Sequence, residues 1–312
     1  MEAIVNVILP VFAIVALGYG AGRGGLLGSA SSQALNAFVF FFSLPALMFG
    51  AMARLPLDQV FNLSFLAVFL GGLLACFLPS FLVARIFFPE RLGGLTMHAM
   101  TAVFSNTGYM GIPLLMVALG PDGLLPAIIG TMTTGALIMA VVTVLLEIDR
   151  HSHQTALTIA GKVVRGLVLN PLILSASCGL LWNALALPVP TALGTFLDLM
   201  GDTAGPCALF AMGLFLVGKP LRHGLGEVLW VSLVKLVVMP AVTWWLAFDV
   251  FMLEPFWARS AVLLAALPTG ALVFVVAQRY EVYVQRAISA ILINTVLSVV
   301  TLSVLLSLLG IV

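Results

Sequence analysis

Two stretches of this 312-residue sequence set helix-breaking and small polar residues inside apolar surroundings: Ser105-Asn-Thr-Gly-Tyr-Met-Gly-Ile-Pro-Leu114 and Leu267-Pro-Thr-Gly-Ala271. Gly108 and Gly111 weaken a helix, and Pro113 lacks an N–H and clashes with the carbonyl of Tyr109. Pro268 and Gly270 bring the same ingredients to the second stretch. Each stretch predicts a helix broken near its middle. Backbone groups freed inside a bilayer are tolerated only where they are buried in protein or line a cavity. Two half-helix N-termini aimed at one cavity, each equivalent to roughly half a positive charge, would suit a small anion. The plainer alternative is a pair of Pro-kinked helices with glycines for close packing.

Two ionisable residues also fall within apolar runs. Lys235, in Val231-Ser-Leu-Val-Lys-Leu-Val-Val-Met-Pro240, lies about eight residues, or about 12 Å of helical rise, into its segment. A lysine at that depth either snorkels to the interface or faces a partner or a water-filled path. In the second case it is a structural or coupling cation that neutralises substrate charge or pairs with a carboxylate. Asp202, in Gly201-Asp-Thr-Ala-Gly-Pro206, is the carboxylate best placed for such pairing. It reads as a protonatable coupling residue or cation ligand, or as an interfacial cap on a short half-helix. Asn294, Thr295 and Ser298, and Thr131, Thr133 and Thr134, could line the same cavity, although hydroxyls commonly bond back to their own helix.

Composition sets the medium in which these residues work. The chain is 62% hydrophobic and 8% charged, against roughly 25% charge in soluble domains, and its mean hydropathy is +1.21. Its solvent is therefore the lipid bilayer. A net charge of +1 gives no basic face for nucleic acid. Cys76, Cys178 and Cys207 have no paired spacing, and His98, His151, His153 and His223 have no metal-ligand spacing; neither a metal nor another cofactor is expected. No zinc-protease helix, phosphate-binding Gly-Lys loop or esterase nucleophile elbow occurs, which argues against an enzyme.

A span needs about 20 mostly apolar residues, and the polar breaks leave ten segments: 3–22, 31–53, 62–88, 95–119, 124–147, 161–182, 195–217, 227–248, 257–278 and 285–309. The first lacks the basic start of a leader and is expected to be retained. The fold class is thus an all-α polytopic membrane protein with ten transmembrane helices. Residues 1–147 form a first five-helix repeat, 148–160 a linker and 161–312 a second repeat. Of the 13 basic residues, ten flank one side: Arg23, Arg85, Arg91, Arg150, Lys162, Arg165, Lys219, Arg222, Arg279 and Arg286. Only Arg54 and Arg259 flank the other. The positive-inside rule then sets the linker in the cytoplasm and both termini outside. Five spans per half invert the second half relative to the first. Pro45-Ala-Leu-Met-Phe49 matches Pro206-Cys-Ala-Leu-Phe210, and Asn106-Thr-Gly108 matches Pro268-Thr-Gly270, at nearly the same spacing, as in the inverted repeats of secondary transporters.

The ordered set Ile8-Leu-Pro-Val-Phe12, Leu44-Pro-Ala-Leu-Met-Phe49, Asn106-Thr-Gly-Tyr-Met-Gly-Ile-Pro-Leu114, Asn170-Pro171, Ala208-Leu-Phe-Ala-Met-Gly213, Lys235 with Pro240, and Ala266-Leu-Pro-Thr-Gly270 resembles the auxin efflux carrier family over nearly the whole chain. That resemblance implies a fold related to the bile-acid sodium symporters, with crossed, broken helices in segments four and nine. Segments 1, 2, 6 and 7 would form a scaffold and segments 3–5 and 8–10 a moving transport domain, often in a homodimer. It further implies that Asn106, Thr107, Gly108, Gly111, Pro113, Pro268, Thr269 and Gly270 lie near the substrate. The stretch from Asp202 to Gly213 looks closest to the branch of bacterial members associated with malonate. A short central loop, and Val273 where plant carriers have a further proline, argue against auxin itself.

The function expected is secondary or potential-driven transport of a small carboxylate, by an elevator-type mechanism, across a bacterial inner membrane. Proton coupling, sodium coupling and uncoupled flux all stay open. The competing readings are a membrane sensor for a small carboxylate, and a sodium-coupled carrier of a larger or aromatic carboxylate.

Overall fold

A computed structural model describes residues 2–55, 62–150, 155–218 and 224–311. In chain order the helices are α1 (Glu2–Arg23), α2 (Ser29–Met52), α3 (Leu63–Phe87), α4 (Leu92–Val103), α5 (Thr107–Leu119), α6 (Pro121–Arg150), α7 (Ala156–Val168), α8 (Pro171–Ala184), α9 (Thr191–Leu216), α10 (Leu225–Val250), α11 (Pro255–Ala266), α12 (Leu272–Tyr280) and α13 (Val284–Leu308). Among the described residues there is no strand, only a single antiparallel bridge between Ser105 and Thr269. Among the described residues seven helices, α1, α2, α3, α6, α9, α10 and α13, are long and apolar enough to cross a membrane, or eight spans if the bent pair α7–α8 counts as one. Leu17, Phe41, Phe42, Leu82, Ile86 and Val300 are exposed on these helices. So many outward-facing large apolar side chains suit a hydrocarbon solvent. The protein is a polytopic membrane protein.

The remaining three expected segments are interrupted. Segments four and nine break as their sequences predict, into α4 and α5 and into α11 and α12. Segment six departs from the expectation of one helix over 161–182. It begins earlier, at Ala156, and bends by 63° between α7 and α8. The cause is local: Pro171 excludes the helical conformation at Asn170, which is extended at φ −71°, ψ 118°. The Asn170 side chain then accepts from Leu172 N at 2.9 Å and caps α8. The linker 148–160 is correspondingly shorter, because α6 reaches Arg150 and α7 starts at Ala156. Residues 151–154, with His151 and His153, and residues 219–223, with Lys219, Arg222 and His223, lie outside the described residues.

Three of the prolines inside these helices are accommodated in the same way. A π-helical turn ends two residues before Pro45 (Val39–Ser43), before Pro113 (Thr107–Gly111) and before Pro240 (Val234–Val238). A proline ring clashes with the carbonyl four residues earlier, and the wider turn moves that carbonyl aside.

The chain folds as two compact units and passes between them five times. Unit 1 comprises Met1–Leu63, Gly108–Met132 and Leu167–Gly218, and unit 2 comprises Ser64–Thr107, Thr133–Gly166 and Lys219–Val312. Within unit 1, α1 packs on the second half of α9. A side chain at Gly18 would strike the Phe210 carbonyl, and one at Gly213 the Val15 carbonyl. Small residues let two backbones approach this closely where lipid supplies no hydrophobic drive between helices. Asn183 on α8 donates to the carbonyls of Met52 (3.0 Å) and Leu55 (2.5 Å), satisfying the open end of α2. Within unit 2, α4 is buried along its whole length after Leu92, and α11 is buried from Ser260 to Ala266. A half-helix apolar on all sides belongs at the centre of its unit.

Candidate functional site

The two central half-helices of unit 2 end where their chains cross. α4 stops at Val103, and Phe104 turns extended at ψ 93°. α11 stops at Ala266, and Leu267 turns extended at ψ 149°. Residues 104–106 and 268–270 run antiparallel: Asn106 N donates to Pro268 O and Gly270 N to Phe104 O, both at 2.9 Å. Each break thus satisfies the other's backbone, as burial requires. Pro268 loses nothing by lacking an N–H, because its carbonyl is the group in use. Gly270 suits the close approach, since a Cβ there would lie 3.3 Å from Asn106 Cα and 3.2 Å from the Phe104 ring, so its neighbours would have to shift by a few tenths of an ångström.

Side chains close the open helix ends. The Thr269 hydroxyl donates to the Thr101 carbonyl in the last turn of α4 (2.9 Å) and accepts from Asn294 Nδ2 on α13 (2.7 Å). Lys235 Nζ donates to the Ala265 carbonyl in the last turn of α11 (2.5 Å) and approaches Met239 Sδ at 3.6 Å. Lys235 is fully buried, so it does not snorkel, and its partner is a helix C-terminus rather than a carboxylate. An ammonium there meets the negative end of the helix dipole. Ser105 Oγ and Asn294 Oδ1 are buried without a partner among the described residues, so the crossing keeps unspent hydrogen-bonding capacity.

Seven of the expected site residues therefore belong to unit 2: Asn106, Thr107, Pro268, Thr269, Gly270, Asn294 and Lys235. The other four belong to unit 1. There Gly108 faces Thr131 and Leu44, and Pro113 packs toward Gly205. Gly111 ends the π-turn before Pro113. Asp202 is exposed at the end of the first half of α9, just before Thr203, where the helix is interrupted by a turn. Thr131, Thr295 and Ser298 bond back to their own helices. No group of three metal-ligating side chains occurs among the described residues.

Reading the sequence missed a second polar group in unit 2. Glu227 on α10 is buried and is bonded by His98 of α4, Tyr283 and Arg286. His98, near the start of the expected fourth segment, is buried within α4. The available signal was Glu227 itself, a carboxylate inside the boundary of an expected span. A further polar group, Glu147 with Lys162 and Tyr280, joins α6 to α7 and α12.

Broken helices that cross at a buried, polar, internally paired point in an all-helical membrane protein define a membrane transport fold. Residues 3–306 match the membrane transport protein family. The chain belongs to that family, the auxin efflux carrier family its motifs resemble. It is 32% identical over 307 residues to a protein of Rhizobium meliloti (strain 1021) named "Putative malonate transporter", covering 98% of this chain and 96% of that one. It is 26% identical over 304 residues to an uncharacterised transporter of Methanothermobacter thermautotrophicus, covering 95% of each. It is also 26% identical over 246 residues to the lysosomal cholesterol signaling protein of Mus musculus, covering 75% of this chain and 28% of that one.

Proposed function

We propose that this protein is a secondary carrier of a small carboxylate, with malonate the first substrate to test. The observation that carries the reading is the mutual pairing of the two chain breaks, residues 104–106 with 268–270. Each extended segment runs directly into a helix start, at Thr107 and at Leu272. Helix starts favour negative charge, and the flanking small polar groups, Asn106, Thr107, Thr269 and Asn294, can orient a carboxylate. Lys235 then compensates charge from behind, through the end of α11. Gly108, Gly111 and Pro113 shape the start of α5. The name of the Rhizobium relative favours malonate within this class.

The architecture proposed with this function is ten spans in two inverted repeats, 1–147 and 161–312, with α4–α5 and α11–α12 as the broken fourth and ninth. Segments 1, 2, 6 and 7 act as scaffold and the others as an elevator-type transport domain. In its favour, segments one, two and seven lie in unit 1, and three, eight, nine and ten in unit 2, while four, five and six are shared. The protein is proposed to sit in a bacterial inner membrane, as a homodimer, with both termini outside and the linker in the cytoplasm.

Counterflow tests the function. Proteoliposomes loaded with unlabelled malonate should take up [14C]malonate saturably and be inhibited by other short dicarboxylates. Absence of saturable flux and of binding for malonate, related dicarboxylates and aromatic carboxylates would remove the reading. Stimulation by an inward sodium gradient, with preference for an aromatic acid, would favour the sodium-coupled alternative. A second reading, a membrane sensor, has the likeness to the murine signaling protein in its favour. It predicts malonate binding with no flux.

A further inference from the structure

The buried group around Glu227 is built like an ion-binding site rather than a static salt bridge. The Glu227 carboxylate receives three donors: His98 Nδ1 at 2.7 Å and Tyr283 Oη at 2.9 Å on Oε1, and Arg286 Nη1 at 2.8 Å on Oε2. Arg286 also donates to Glu90 Oε1 at 2.6 Å and lies over the Tyr283 ring at 4.3 Å. Tyr283 is outside the spans, and burial, followed by the Glu227 charge, holds its phenol well above the ordinary range, so it remains a donor. With the carboxylate accepting everywhere, the imidazole must carry its proton on Nδ1. That leaves Nε2, which is buried and has no partner among the described residues. The ring is held by Phe88, stacked at 5.7 Å, and Tyr283, edge-on at 6.3 Å.

The charge balance gives this free nitrogen a use. Among the described residues, Glu90, Glu227 and Arg286 with a neutral His98 leave the group with one net negative charge. A proton on Nε2 neutralises it and breaks no hydrogen bond already made, whereas protonating Glu227 would displace a donor. The other titratable side chains on elements packed against α4 are Glu147, Asp149 and Arg150 of α6, Lys235 of α10, Arg279 and Tyr280 of α12, and, beside Gly93, Asp149 again at the start of α4. Glu147 is bonded by Lys162 and Tyr280, and Lys235 by the Ala265 carbonyl. The position links the group to the crossing. His98 lies one turn before Thr101, whose carbonyl Thr269 caps, and Glu227 opens the helix whose Lys235 holds the end of α11.

We propose that His98, held by Glu227, is the proton-binding site that couples carboxylate movement to a proton gradient. The proton passes from water to the Nε2 lone pair of His98, no other bond is made or broken, and it leaves from the same atom. The idea rests on the carrier reading above. The tighter charge pair between α4 and α10 then joins the two helices that hold the crossing.

The test uses proteoliposomes with [14C]malonate, comparing counterflow at equal pH with accumulation driven by an imposed pH gradient. Wild-type protein should accumulate malonate above the external concentration when the gradient is imposed. His98→Gln, which keeps an N–H for Glu227 but has no basic nitrogen, should exchange malonate without accumulating it and lose the pH dependence of the wild type. Accumulation by His98→Gln equal to wild type overturns the assignment, as does wild-type exchange that ignores the pH gradient. Loss of accumulation in Asp202→Asn but not in His98→Gln would move the proton site to Asp202 and overturn it too. If the wild type moves no malonate, the carrier reading fails for that substrate, and the proton site is then decided on the protein itself. Histidine 15N NMR in nanodiscs, with the His98 signal identified by its loss in His98→Gln, should show Nε2 gaining a proton as the pH is lowered. An Nε2 that stays in one state throughout overturns the proposal.

Discussion

Replacing Thr269 by valine keeps the shape of the side chain and removes a hydroxyl that serves two partners. It donates its single proton to the Thr101 carbonyl and therefore can only accept from Asn294 Nδ2. Valine leaves that carbonyl and that amide N–H unpartnered, next to a residue that is itself fully buried. Hydrogen bonds between helices in membranes range from about 0.6 kcal/mol on average in double-mutant cycles to about 1–2 kcal/mol in model peptides. The loss of two therefore lies near 1–4 kcal/mol by the same measures. Thr269→Ser keeps both bonds and loses one methyl group, about 0.8 kcal/mol. Thermal unfolding of the detergent-solubilised protein, followed by tryptophan fluorescence, should rank wild type above Thr269→Ser and Thr269→Ser well above Thr269→Val. Adding Asn294→Leu to Thr269→Val should cost less than Asn294→Leu alone, because the shared bond is already gone. Equal stability of the serine and valine variants, or strictly additive losses, would refute the network at the crossing.

Other outcomes follow from the same geometry. Gly213→Ala forces a methyl group into the Val15 carbonyl and should cost at least about 1–3 kcal/mol, as overpacking does, seen as a loss of monodisperse protein on gel filtration. Asn183→Leu frees the carbonyls of Met52 and Leu55 and should lower thermal stability by about 1–2 kcal/mol per bond at most, with malonate counterflow affected less than stability. Lys235→Met removes a buried charge together with one hydrogen bond, so it should still fold. Its malonate half-saturation concentration should rise about tenfold, the equivalent of about 1.4 kcal/mol.

Much of the fold was legible because the features that define it act locally. Pro268 cannot complete a helix whatever surrounds it, and the second break falls beside it. The first break falls earlier than Pro113, at residues 104–106, and Pro113 sits inside α5 behind a π-helical turn. The bend at Asn170-Pro171 carried the same signal, but the apolar run on either side hid it, since hydropathy does not register direction. The candidate site was legible only in outline. Ser105 and Thr269 pair across 164 positions, which the matched spacing of Asn106-Thr-Gly108 and Pro268-Thr-Gly270 hinted at without giving the register. The partner of Lys235 could not be read at all, because it is a backbone carbonyl and every residue carries one. His98 and Glu227 escaped because their meaning lies in a contact across 129 residues; apart, one is an isolated histidine and the other a carboxylate at a helix start.

The central claim is that a small carboxylate is handled at the crossing of residues 104–106 and 268–270. The most direct measurement is [14C]malonate counterflow by wild type and Gly270→Val in matched proteoliposomes, with the variant first shown to be monodisperse. A valine at 270 presses on Asn106 Cα and the Phe104 ring. The account predicts saturable flux in the wild type and flux no higher than that of empty liposomes in the variant. Undiminished flux in a folded Gly270→Val would contradict it.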